Sequence, residues 1–176
     1  MILAPPATTE FAPFYAGYVA KVPEADALPV LEAQTEELRR LFVPVTAARE
    51  TFRYGPDKWS IREVLGHLTD AERVFGFRLF CFARGDRNPL PAFEENEYVE
   101  RSDYDRVLLS DLFREWATVR ESNLHVVRRL GNEQLLNVGT ASGAAISVRA
   151  LARILAGHVR HHVGVLVDRY GLTAGR

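Results

Sequence analysis

The chain has 176 residues, 47% hydrophobic and 26% charged, with a formal charge of −1. That is the size and composition of one globular domain able to bury its own core, with no basic block to recommend nucleic acid or an anionic membrane as partner. Cys81 is the only cysteine, which excludes an intramolecular disulfide and a thiolate metal cluster; with no secretory signal and no apolar run of membrane-spanning length, the expectation is a soluble cytoplasmic protein.

Residues 1–27 read as an extended amino-terminal arm. Five of the nine prolines occur by Pro29, among the aromatics Phe11, Phe14, Tyr15 and Tyr18, so the segment cannot be a regular helix, yet its rings call for burial against the rest of the fold. Residues 28–172 read as one bundle. A first helix is expected over about Leu28–Ala48 from the stripe Leu31, Leu38, Leu41, Phe42 and Val45, with Pro44 predicting a kink or an early end. The second has the strongest signature: Ser60-Ile61-Arg62-Glu63 is a capping box, followed by the apolar stripe Ile61, Val64, Leu65, Leu68, Phe75 and Leu79 up to Gly85.

From Arg84 to about Arg106 a polar segment with Pro89 and Pro91 exceeds ordinary connection length, which points to a functional lid or an ordered crossing. A third helix is expected over Ser110–Arg129 and a looser stretch over Gly131–Ile146, with no clear strands. A fourth helix begins after Ser147 as N-cap and stops at Gly171, a left-handed C-cap position. Four long helices with two long connections make the fold an all-α four-helix bundle.

The fourth helix has a face made of Val148, Leu151, Leu155, His158, His162, Val165 and Leu166. His158 and His162 therefore interrupt an apolar stripe, ~40° apart around the axis and ~6 Å apart along it, where two imidazoles reach one divalent ion. The competing account makes them core histidines satisfied by neighbouring carbonyls or carboxylates. His67, flanking the stripe of the second helix, is the best third ligand, since bundle sites are assembled from facing helices. His161 falls off the stripe beside His162, and His125 reads as a helix-flank residue. Asp70 and Glu72 could orient an imidazole, but a solvated helix face with ordinary helix pairs is the favoured account of both. Trp59 could wall a pocket, and Cys81 is about 21 Å along the helix from His67, too far to ligate.

The segment Lys58-Trp59-Ser60-Ile61-Arg62-Glu63-Val64-Leu65-Gly66-His67-Leu68 resembles the first signature of the DinB/YfiT-like metalloprotein superfamily, and Gly157-His158-Val159-Arg160-His161-His162 resembles the second. Pro89-Leu90-Pro91-Ala92-Phe93 between them fits too, so the resemblance covers about residues 28–172. It implies a four-helix bundle whose histidines at His67, His158 and His162 bind a divalent metal, with zinc and nickel the ions best suited to imidazole. Among the activities it implies is transfer of low-molecular-weight thiols.

Three neutral ligands would leave the ion its full charge and at least one open position. Such an ion lowers the pKa of bound water from 15.7 to about 7 and deprotonates a bound thiol, so hydrolysis and thiol transfer are both within its reach. The expected function is a metal-dependent enzyme acting on a small-molecule substrate, a thiol S-transferase or a hydrolase. The alternative is a non-catalytic metal-binding stress-response or sensing protein. A second apolar strip on the last helix, Ala152, Ala156, Val159, Val163, Val167 and Tyr170, leads us to expect a two-fold homodimer unless the arm and first helix cover it.

Overall fold

The computed structural model describes residues 1–175. In chain order its elements are α1 (Ala16–Ala20), α2 (Leu28–Phe42), α3 (Ile61–Ala83), α4 (Glu95–Glu100), α5 (Leu109–Val127), α6 (Asn132–Leu135), the strands β1 (Val138–Ala141) and β2 (Ala144–Ser147), and α7 (Val148–Asp168). The four long helices are α2, α3, α5 and α7. α3 packs along α5 on one side and α7 on the other, and α2 closes the ring against the same two. Consecutive α2 and α3 therefore sit diagonally across the bundle, as do α5 and α7. The architecture is the expected all-α four-helix bundle. No helix among the described residues is long and apolar enough to cross a membrane.

Local chemistry sets the helix ends. Ser60 Oγ accepts the Glu63 N–H at 3.0 Å while the Ser60 N–H donates to Glu63 Oε2 at 2.7 Å, so two orphan donors at the start of α3 are satisfied reciprocally. Ser147 caps α7 by accepting the Ala150 N–H. At the other end Gly171 takes φ +65° and donates to Val167, while Leu172 donates to Leu166, which closes the last turn. α2 stops at Phe42, two residues before Pro44, so the early end prevails and residues 43–48 lie outside the helix.

Between α6 and α7 the chain forms a hairpin where a looser stretch without strands was expected. Val138 pairs with Ser147 and Ala141 with Ala144, across a Ser142-Gly143 turn with positive φ at both residues, the two-residue geometry that suits strand twist. Leu90 of the long crossing is bonded to this hairpin through Thr140 and Ser142. The crossing is thus ordered, and it brings Pro91 to Arg78 and Phe93 to His67 along α3.

The core holds Leu65, Leu68, Leu112 and Trp116, each essentially inaccessible and each stabilising by about 1.5–3 kcal/mol if counted from full exposure. A polar network crosses this core. Arg120 of α5 donates to both Glu72 oxygens of α3, at 2.9 and 2.7 Å, and to Gln34 Oε1 of α2 at 2.6 Å. Gln34 Nε2 in turn donates to the Ala156 carbonyl of α7 at 2.6 Å, and Asn123 adds a bond to Glu72. Four helices are thereby joined by one buried charge pair and its satellites. The reading of Glu72 as part of a solvated face is corrected: it is 2% exposed because Arg120 supplies a bidentate partner inside the bundle.

The amino-terminal segment lies along α7. Arg149 pairs with Glu10; Arg153 donates to the carbonyls of Leu3, Val22 and Glu24; Arg160 reaches Lys21 and Glu24. Phe11 is buried, Tyr15 and Tyr18 are half-buried, and Phe14 stays exposed, so not every ring of the segment finds cover. Ala152, Ala156, Val159 and Tyr170 of the second apolar strip are buried within the chain, whereas Val163 is half-buried and Val167 exposed.

Candidate metal centre

The facing sides of α3 and α7 carry the three histidines. His67 lies two turns into α3, its register set by the Ser60 cap, and His158 and His162 stand one turn apart on α7. One nitrogen from each lies within 4.8 Å of the others. The Nε2 atoms of His67 and His158 are 3.1 Å apart, and the ring centroids are separated pairwise by 4.6–5.0 Å.

All three side chains are buried. Desolvation pushes the His67 imidazole down to about 4, and it pushes His158 and His162 well below the ordinary value, reinforced by the neighbouring imidazoles. The rings are neutral at physiological pH, the state in which a nitrogen lone pair is free for an ion.

The alternative of core histidines satisfied by carbonyls or carboxylates does not describe this cluster. Among the described residues, the one partner of the His67 ring is His158, and the Nδ1 atoms of His67 and His162 are buried with no acceptor. A convergent set of three neutral nitrogens instead has the composition of a site that could hold a divalent ion with a position left open.

The cluster forms part of the wall of a cavity of about 510 Å³. Aromatic rings form part of the remaining lining: Trp59, Phe75, Phe93, Tyr15 and Tyr18. Trp59 stands 4.7 Å from His67 between ring centroids, so it does wall the pocket, and Phe93 lies parallel to the same imidazole at 6.3 Å. Tyr18 meets both His158 and His161 edge-on. It can do so because residue 157 is glycine, over which the Tyr18 backbone lies directly.

His161 is half-buried and faces the same cavity, its ring 4.9 Å from that of His162. Burial lowers its pKa, with Lys21 adding to the effect. The remaining candidates lie elsewhere. Asp70 is paired with Tyr104, whose ring covers Gly66; Glu72 belongs to the Arg120 network. His125 is exposed beside Glu121, and Cys81 is buried away from the cluster. Sequence reasoning passed over Tyr18, Phe93 and Arg78 as cavity residues: Tyr18 and Phe93 reach the site from segments whose docking is not written locally, and Arg78, three turns along α3 from His67, reads as an ordinary partner for helix pairs.

A model of the DinB superfamily matches residues 31–166. The chain belongs to the DinB superfamily. No curated protein matches it. Among solved structures, this DinB-superfamily chain is similar to YfiT from Bacillus subtilis, with a TM-score of 0.74 and 17% identity over 96% of this chain and 94% of that one. YfiT is described as a probable metal-dependent hydrolase with an unusual four-helix bundle topology. At that identity the likeness establishes a shared DinB-superfamily fold.

Proposed function

We propose that this protein is a metal-dependent enzyme acting on a small molecule, with His67, His158 and His162 as ligands of a divalent ion, zinc or nickel. The observation that carries this reading is the position of the neutral imidazole triad: it opens on a cavity of substrate size instead of being sealed in the core. A structural ion would be closed off by a fourth protein ligand, and none of the described residues supplies one.

When bound, such an ion acidifies water or a thiol and polarises a carbonyl. The chain supplies the rest. α3 and α7 hold the nitrogens in place before any ion arrives, because the Arg120 network and the segment on α7 fix both helices. Trp59, Phe75, Phe93 and Tyr18 give an apolar surface that excludes bulk water and selects a substrate with a hydrophobic part. His161 is a titratable group in position to carry a proton between cavity and solvent, as are Glu94 and Glu95.

Hydrolysis is the first reading, in keeping with what is described for YfiT. Thiol S-transfer with a low-molecular-weight thiol is the second. It draws on the same cluster, since a thiol bound to an ion held by three neutral imidazoles would be deprotonated outright.

The test begins with elemental analysis of protein purified without a histidine tag. Ester, amide and lactone substrates are then assayed beside electrophiles offered with several small thiols, using wild type and His158→Ala. Turnover that depends on the added metal and is lost in the variant supports the reading. Metal binding with no turnover across the panel would favour the non-catalytic sensing alternative.

A further inference from the structure

Arg78 lies on the same face of α3 as His67, three turns further on. An arginine is among the last side chains expected in a core, yet this one is 3% exposed. The other two arginines buried as deeply are accounted for: Arg120 by Glu72, and Arg153 by the backbone carbonyls it holds in the amino-terminal segment. Arg78 has no carboxylate partner among the described residues. Its protein acceptors are the Pro91 carbonyl at 2.7 Å and Ser142 Oγ at 3.0 Å, both bonded to Nη2. Nε and Nη1 are neither bonded to protein nor sealed off unsatisfied.

The place where those donors open is the cavity that carries the histidines, for Arg78 is part of its lining. Phe75 stands between the two. Its ring centroid is 5.8 Å from the Arg78 Cζ and 5.8 Å from the His158 ring, so the guanidinium lies within about 12 Å of the His158 imidazole. Glu94 and Glu95 also line the cavity, but neither pairs with Arg78. A desolvated cation with free donors, at one end of an aromatic-walled cavity with a metal triad in it, is the complement of an anion. The two bonds through Nη2 hold the fork in place by tying it to the long crossing and to the hairpin, and they leave its other donors for a ligand.

We propose that Arg78 is the anion-binding subsite of the cavity: the substrate carries a carboxylate or phosphate group that docks on Arg78 while its reacting group, separated by an apolar spacer lying on Phe75, reaches the histidine cluster. The proposal rests on the metal-dependent reading above and narrows its substrates to amphipathic anions.

The experiment compares acids with uncharged analogues of the same length. Wild-type protein loaded with cobalt(II) is titrated with ω-mercaptocarboxylic acids, from 3-mercaptopropionate to 11-mercaptoundecanoate, and with the matching ω-mercaptoalcohols. Sulfur-to-cobalt charge-transfer absorption reports thiolate binding. At the chain length that spans the cavity the acid is expected to bind at least about ten-fold more tightly than the alcohol, the gain of a charge-assisted hydrogen bond. Arg78→Gln should abolish that difference while keeping the absorption band, and Arg78→Lys should retain part of it.

A metal-independent arm titrates apo protein with 4-phenylbutyrate, phenyl phosphate and 4-phenylbutanol, followed by NMR at Arg78 and Ser142. Preferential binding of either anion supports the subsite, and the tighter one names the group. Equal binding of acids and alcohols at every length, or a preference that survives in Arg78→Gln, overturns it. Should Arg78→Gln fail to fold, the wild-type comparison and Arg78→Lys still decide. Failure to take up cobalt would sink the metal reading alone, because the apo titration judges Arg78 separately.

Discussion

Gly157 lies so close beneath the Tyr18 carbonyl that a methyl group at position 157 would overlap it. The obstacle is backbone, which cannot swing aside as a flexible side chain does. The contact also falls one residue before His158, so α7 and the segment that covers it meet at a point where neither can give.

Gly157→Ala is therefore expected to lift α1 from α7 and to cost about 1–3 kcal/mol, the usual penalty of overpacking, despite the better helix propensity of alanine. Chemical denaturation measures the loss. Hydrogen exchange should rise over residues 13–20 and stay unchanged in α5. Uniformly unaltered exchange would show that the segment tolerates the methyl.

Metal uptake should be stoichiometric and should need all three histidines. His158→Ala or His162→Ala is expected to weaken binding by more than the roughly 10–100-fold that loss of a supporting partner costs, whereas exposed His125→Ala leaves it intact. Calorimetric titration with zinc checks this. Full binding in a His67/His158 double variant would refute the assignment.

The apo protein should remain helical at neutral pH, because the four helices bury a core that does not depend on an ion. Its stability should fall as the solution is acidified. The folded-state pKa values of His67, His158 and His162 lie below the unfolded value near 6.5, so below that pH the unfolded chain binds protons that the folded chain refuses. Their contribution is present above pH 6.5 and is lost as pH drops toward 4, at roughly 1.4 kcal/mol per pH unit for each imidazole that stays neutral. Glu10, held down to about 2 by Arg149, acts in a separate and lower window, present above pH 4.5 and lost below it. Urea titrations of the apo protein from pH 8 to 5 measure the first slope. A flat profile would contradict the burial of the triad.

Breaking the Arg120–Glu72 pair should destabilise more than any surface change. Arg120→Met leaves a buried carboxylate with only Asn123 beside it and is expected to cost about 3–5 kcal/mol. Glu36→Gln, at an exposed pair with Arg39 and Arg40, should change stability by less than about 1 kcal/mol. Parallel denaturation midpoints compare the two.

The elements that could be read directly are those specified by neighbours in the chain. The Ser60–Glu63 box fixes the start of α3 within four residues, and the four-residue spacing of His158 and His162 puts both on one face of α7. What escaped reading depends on distant partners. Glu72 looks like a surface glutamate until Arg120, 48 positions away, is known to face it. A signal was present, since Arg120 falls on the stripe of Leu112, Trp116 and Leu124, where a solvated arginine has no place. The hairpin was missed because strands of four residues are too short for alternation to stand out. Phe14 shows the opposite error: an aromatic in a proline-rich segment need not find a core.

Arg153 has a consequence for the order in which the protein is made. It bonds the Leu3 carbonyl across 150 residues, and His67 meets His158 across 91. During synthesis the first residues leave the ribosome well before the α7 arginines that hold them, and His67 emerges long before either partner. Neither the cover nor the histidine cluster exists until α7 has been released. A chain arrested before α7 begins carries one of the three histidines and an undocked amino terminus, so it has no triad to collect metal or expose reactive chemistry.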